Sequence, residues 1–165
     1  MAGRSVSKWV RFVTGDTGGV LREPPIDSIT IVGIQYAQID LTAFQDAVKG
    51  ALPGFPDAPI EITGPWDTTA ANAIATSTNA PVLSGSYTVL QPLNGGNTPR
   101  SLGVCFGDRA YWATGMPVFG ISSSATSGYL LFEWTVNPKD PMKYKAVFKL
   151  FPGSALPAWG TAMVV

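Results

Sequence analysis

Short runs of alternating apolar and polar residues, parted by clusters of glycine, proline, asparagine and aspartate, recur along the whole chain. Such alternation is the signature of half-buried strands, and its turn-punctuated recurrence predicts an all-β fold, a β-sandwich or barrel. SKWVRFVT (7–14) opens the series. GDTGG (15–19) supplies glycines for a tight hairpin, and VLREPP returns as a short strand. DSITIVGI (27–34) and YAQIDLT (36–42) follow, with Gly33 as a bend or bulge. In PIEIT (59–63), Ile60 and Ile62 alternate with Glu61 and Thr63, which places the two isoleucines in the molecule's own core. Pro59 can open that strand, and Gly64 with Pro65 is expected to stop it. SYTVL (86–90), SLGVCFG (101–107), AYWAT (110–114), PVFGIS (117–122), GYLLFEWTV (128–136) and MKYKAVFKL (142–150) also read as strands. In GYLLFEWTV, the face of Leu130, Phe132, Trp134 and Val136 is uniformly apolar, opposite Tyr129, Leu131, Glu133 and Thr135.

One stretch breaks the pattern. TAFQDAVKGAL (42–52) predicts a short flanking α-helix, capped by Asp40 or Thr42, with Phe44, Val48 and Leu52 recurring every four residues on one face. Gly50, Pro53 and Gly54 limit it, and PGFPDAP then reads as a stiff loop. TTAANAIATSTNA (68–80) reads as a short helix followed by a loop, since its Thr, Ser and Asn compete for backbone hydrogen bonds. A chain of 165 residues fits a single domain, 1–165, burying about 70% of its unfolded surface. Its tail, PGSALPAWGTAMVV (152–165), is apolar yet broken by proline, and is expected to dock on a neighbouring subunit.

Charge sharpens this picture. Charged residues make up 13% of the chain, net charge is zero and aromatics reach 11%; typical soluble proteins carry roughly 25% charged residues. Low charge and neutrality favour association, and interface cores are poor in charge and rich in aromatics. The chain therefore reads as a subunit that assembles with itself. Neutrality also argues against a nucleic-acid stripe; the one basic candidate is Lys139, Lys143, Lys145 and Lys149. Three of these alternate with Tyr144, Ala146 and Phe148, as solvent-facing lysines that blunt an edge strand do. Apolar runs such as GYLLF are too short to span a membrane, and the first residues lack the apolar core of a signal peptide. A single cysteine allows no internal disulfide, which fits synthesis in a reducing cytoplasm.

Catalytic chemistry has little to work with. The chain contains no histidine, so Ser-His-Asp and Cys-His arrangements and the usual zinc ligand are missing. Cys105, between Val104 and Phe106, reads as a core residue. Asp16-Thr17-Gly18 matches the tripeptide of aspartic proteases, whose paired carboxylates share a proton. However, Gly15 stands where those enzymes bring in an apolar strand residue, and a hairpin turn accounts for the motif. Phosphate-cradling glycine patterns are absent. The expectation is a non-enzymatic protein with no catalytic residues, cofactor or metal.

A strand ending QIDLT, then AFQDAVKGALPG, then APIEITGPWDTTA, resembles phage tail tube proteins. These pair an x-D-[VL]-T strand end with a variable helix-loop and a strand reading like I-x-I-x-G-x-[FW]-D. GDTGGVLREPPIDSITIVGI is similar to their N-terminal hairpin and crossing strand. The resemblance spans roughly residues 8–68; the proline-rich loop and the tail at 152–165 depart from the family pattern. It implies a β-sandwich with one flanking helix, assembled as stacked hexameric rings around a lumen. DNA would pass through that lumen without sequence-specific binding, and the partners would be the chain itself and other virion proteins. Pro53, Pro56, Pro59 and Pro65 then pre-order the contact segment, which lowers the entropy lost on assembly. The subunit contact falls on residues 43–58, through Phe44, Val48, Leu52 and Phe55, which offer more apolar surface than so short a helix can hide. Two alternatives stand beside this: a capsid decoration or cement protein, and a glycan-binding β-sandwich using Trp66, Trp112 or Trp159.

Overall fold

The alternation at Ile60 and Ile62 becomes the heart of one sheet of a β-sandwich in the computed structural model, which describes residues 10–30, 32–42, 50–69, 82–107 and 117–161. In chain order the strands are β1 (Val10–Gly15), β2 (Leu21–Glu23), β3 (Ser28–Thr30), β4 (Gln35–Asp40), β5 (Ala51–Asp57) and β6 (Ile60–Pro65). After these come β7 (Val82–Leu83), helix α1 (Ser86–Leu90), β8 (Leu102–Phe106), β9 (Val118–Ile121), β10 (Tyr129–Asn137), β11 (Lys143–Leu150) and β12 (Ala158–Gly160). A six-stranded sheet has the order β12-β9-β8-β1-β2-β7 and a four-stranded sheet the order β10-β11-β6-β3. β4 and β5 form a separate two-stranded sheet. All pairings are antiparallel except β2 with β7.

Between the two larger sheets, Phe12, Leu102, Val104 and Phe119 meet Ile60, Ile62, Tyr144, Ala146 and Phe148. The rings of Phe12 and Phe148 lie 5.3 Å apart. Two buried tyrosines satisfy their hydroxyls on irregular backbone. Tyr129 donates to the Ala58 carbonyl at 2.8 Å and Tyr144 to the Pro25 carbonyl at 2.7 Å. This second bond brings the chain so close to β6 that a Cβ on Gly64 would collide with the Pro25 carbonyl and the Tyr144 ring. The strand therefore needs glycine there, and it runs on through Gly64 to Pro65 rather than stopping. On the opposite face of the six-stranded sheet, Val13, Cys105 and Val118 form a second buried cluster.

Three expectations need correction. The one α-helix among the described residues is α1, at SYTVL, where strand-favouring residues predicted a strand; a 3-10 turn over Gln91–Leu93 follows it. Its start is pinned by long-range bonds: Ser86 Oγ accepts from the Asp67 N–H at 3.0 Å and donates to the Pro65 carbonyl at 2.9 Å. One helical turn then buries Val89 and Leu90 together in the core, and packing overrides the weak propensity. Conversely, the helix expected over 42–52 does not extend to its end, because Ala51 and Leu52 belong to β5, with Leu52 opposite Ile39. Phe44, Val48 and the stretches 70–81 and 110–114 lie outside the described residues. Finally, β10 carries a bulge between Leu131 and Glu133. Tyr129 and Leu131 face the core before it, Trp134 and Val136 pack on the core after it, and Phe132 is left exposed.

Residues 158–160 of the tail add β12 to the edge of the chain's own six-stranded sheet, with Trp159 opposite Phe119. The indole rests on Phe119 and Phe106, at centroid distances of 5.1 and 5.4 Å, and remains more than half exposed.

Candidate assembly surface

Among the described residues, β4 and β5 pair with each other and with no other strand. They continue a ribbon whose base lies in the four-stranded sheet: β3 leads into β4, β5 leads into β6, and β3 pairs with β6. Gly33, at φ +142°, turns one arm, a conformation open to glycine and strained for other residues. Buried Ala58 anchors the other arm through its carbonyl bond from Tyr129. At the outer end, the Leu41 N–H donates to the Gly50 carbonyl at 3.0 Å and the Gly50 N–H donates to Thr42 Oγ1, also at 3.0 Å. Asp40 Oδ1 accepts the Thr42 N–H at 2.8 Å. Hydrogen bonds from the Thr42 side chain and backbone hold the Asp40 carboxyl below its ordinary value.

Cross-strand partners share a face of a sheet. Tyr36 opposite Pro56 and Gln38 opposite Pro53 make one face of the hairpin; Ile39 opposite Leu52 belongs to the other. Every residue of β4 is exposed, as are Leu41 and Leu52. Phe55 is 90% exposed. An isolated two-stranded ribbon is marginal in water, and this one presents apolar side chains on both faces, none of which belongs to a core cluster of the described residues. Of the contact residues expected from sequence, the structure places Leu52 and Phe55 together on this hairpin; Phe44 and Val48 lie outside the described residues. Tyr36, Ile39 and Leu41 extend the same surface and were not expected there. Their signal was the alternation of YAQIDLT, whose apolar members suggested a buried face.

The other candidate chemistries resolve into structure. Asp16 closes the β1–β2 turn: Oδ1 accepts the Gly18 and Val20 N–H groups at 2.8 and 2.9 Å, and Oδ2 accepts Arg22 Nε at 2.8 Å. Burial opposes its charge, but the bonds from Arg22, Val20 and Gly18 outweigh that and lower its pKa. A carboxylate so engaged is a turn-former. A depressed carboxyl contributes stability that is present above its unfolded value, near 4, and lost as pH falls through the folded value. Acid titration of the melting temperature is expected to show this loss below about pH 4. Asp16→Asn should flatten that limb and cost about 1–3 kcal/mol at neutral pH, by weakening the acceptor for three donors.

Cys105 is fully buried; burial, with the nearby charge of Glu23, pushes its thiol up to about 12. The native protein should resist thiol reagents at neutral pH, since the thiolate is the reactive form. Cys105→Ser should lower stability by about 1–3 kcal/mol, the cost of burying a more strongly hydrated group. Labelling as fast as that of the unfolded chain would refute the core assignment.

The lysine run lies on β11, which is flanked on both sides by strands and is not an edge. Lys143 pairs with Asp27 at 2.8 Å, and Lys145 lies 3.3 Å from Glu61 and 3.8 Å from Glu133. Lys149 sits over the Phe132 ring at 5.4 Å. Lys143 and Lys145 are thus neutralised by neighbouring acids. Trp66 packs between Tyr87, at 4.8 Å, and Trp134, at 6.2 Å, so its ring is engaged as packing; Trp112 lies outside the described residues. Among the described residues, no three His, Cys, Asp or Glu side chains gather to hold a metal, and no helix is long and apolar enough to cross a membrane.

No family model matches the sequence, and no curated protein matches it. Solved structures do match the fold over nearly its whole length. One is a chain of the sheath–tube complex of the PVC extracellular contractile injection system in its extended state, with TM-score 0.55 and 10% identity over 100% of this chain and 95% of that one. Another comes from the sheath/tube terminator of the same system, with TM-score 0.54 and 10% identity over 96% of this chain and 99% of that one. A third comes from the tube-terminating cap of the anti-feeding prophage, with TM-score 0.55 and 13% identity over 98% of this chain and 94% of that one. The overall fold of the chain is therefore similar to that of these phage-tail-like structural components.

Proposed function

We propose that this chain is a non-enzymatic structural subunit of a phage tail or tail-like particle, and that it builds the tube as stacked rings of identical copies. The observation that carries this reading is the β4–β5 hairpin, apolar on both faces and outside the core clusters of the described residues. An extended solvent-exposed ribbon of this kind gains a hydrophobic environment only from another molecule. The expected contact segment 43–58 contains the β5 arm of that hairpin, so Leu52 and Phe55 would meet a neighbouring copy. The four-stranded sheet supports the same reading. It ends in β3 and β10, and joining such edges around a closed ring removes exposed strand edges. Its outer face, where Lys143 and Lys145 meet Asp27, Glu61 and Glu133, is polar and charge-balanced. Facing a lumen, it would let DNA pass without holding it. The tail at 152–165 would contact a neighbour through the exposed side of Trp159.

A second reading, a tube-end component, is favoured by two of the three structural neighbours, a sheath/tube terminator and a tube-terminating cap. Electron microscopy of the concentrated protein separates the two. Long tubes support a repeating subunit, single rings a tube-end role, and a monomer at every concentration defeats both. Assembly should be unchanged or strengthened by added salt, because exposed ion pairs are screened and apolar burial is not. Dissociation on raising the salt would contradict an apolar interface.

A further inference from the structure

The hairpin's two edges differ chemically, although it is open to solvent on both sides. β5 contains Pro53 and Pro56, each directly opposite a residue of β4, namely Gln38 and Tyr36. Proline has no N–H to give to a ladder, so it can stand in a pair only where its nitrogen faces away from the partner strand. Both prolines therefore sit where an outer neighbour would look for its donors. Proline on a strand edge blocks further strand pairing. β4, by contrast, contains no proline, and its residues 35–40 are exposed throughout. At its base it continues β3, itself the terminal strand of the four-stranded sheet.

We infer that Pro53 and Pro56 close the β5 edge to strand addition, so that the hairpin is one-edged and a strand from a second copy of this chain can ladder only on β4. The blocking of β5 stands on the pairing alone; the occupancy of β4 by a second copy rests on the self-assembling reading above. A one-edged ribbon gives assembly a direction. Were both edges open, hairpins of successive copies could add side by side without limit, as in cross-β aggregates.

Two variants test this against the parent protein. Pro53→Thr with Pro56→Thr restores both outward donors while leaving the pairs with β4 in place. Gln38→Pro removes an outward donor from β4, because Gln38 faces Pro53 in a pair that uses neither N–H. Thermal melting first establishes that each variant folds; sedimentation, thioflavin fluorescence and electron microscopy then report the products. The double variant is expected to raise thioflavin-positive association about tenfold or more, the effect of regained hydrogen bonds. Gln38→Pro is expected to reduce ordered assembly by a similar factor with an unchanged melt. A double variant that associates no more than the parent overturns the blocking role. A Gln38→Pro protein that assembles as the parent does overturns β4 as the accepting edge. If the parent never self-associates, the assembly reading fails along with the β4 assignment, while the thioflavin comparison still decides the role of the prolines.

Discussion

Phe55→Ser is expected to leave the subunit folded and to weaken its assembly by about thirtyfold or more. Phe55 is 90% exposed, and β5, which carries it, pairs only with β4 among the described residues. Removing the ring therefore opens no cavity in the sandwich, and a surface change of this kind typically moves stability by less than about 0.5 kcal/mol. In an assembled state the same ring would be a buried aromatic anchor, and losing such an anchor costs about 2 kcal/mol or more. The melting temperature and the concentration needed for tube or ring formation are to be measured together. Unfolding of the variant would show that Phe55 supports the subunit. Assembly at the parent's concentration would remove the hairpin from the interface.

β6 and β11 were legible because a single face of each is buried, so alternation encodes both strand and register: Ile60, Ile62, Tyr144, Ala146 and Phe148 all obey that rule. β1, β8 and β9 are buried on both faces, around Val13, Cys105 and Val118 as well as the main core, and were legible from their β-branched and aromatic residues instead. Of the hairpin, β4 was legible from YAQIDLT, but β5 was not: its residues are mostly exposed, so burial enforced no alternation there. The four-residue spacing of Phe44, Val48 and Leu52 then carried the expected helix on to Leu52. What makes a strand of Leu52 is its pairing with Ile39, a contact the local sequence does not contain. Even so, the mismatch between apolar surface and available cover was readable, and it pointed to the same segment that the structure leaves exposed at Leu52 and Phe55.

Two smaller misreadings have equally physical causes. SYTVL is composed of strand formers, and its fate is decided by the Ser86 hydroxyl bridging Pro65 and Asp67 from far along the chain. In GYLLFEWTV the apolar pattern is symmetric enough to suit either face, so the sequence could not reveal the bulge that sends Phe132 outward under Lys149. By contrast, Asp16 was legible in full. A glycine-rich turn supplies backbone N–H groups in reach of an aspartate, and the structure forms those bonds with no catalytic partner required.

The largest expected loss of stability belongs to Ile62→Ala. Ile62 is fully buried at the centre of β6, opposite Ala146 on β11 and Ile29 on β3. Because strands flank it on both sides and the facing sheet covers it with the Phe12 cluster, the backbone has little freedom to close over the missing methyl groups. A cavity of this kind costs about 2–5 kcal/mol, which lowers the melting temperature of a domain this size by about 4–20 °C. Assembly measured well below the new midpoint should be unaffected, since the side chain reaches no surface. The pair of variants thus divides the ribbon at Pro59: Phe55 on one side should move assembly alone, and Ile62 on the other should move folding alone. If Ile62→Ala melts with the parent, the four-stranded sheet is not packed as described. If it melts lower and also fails to assemble far below its midpoint, the sandwich face over β6 belongs to the intersubunit contact as well.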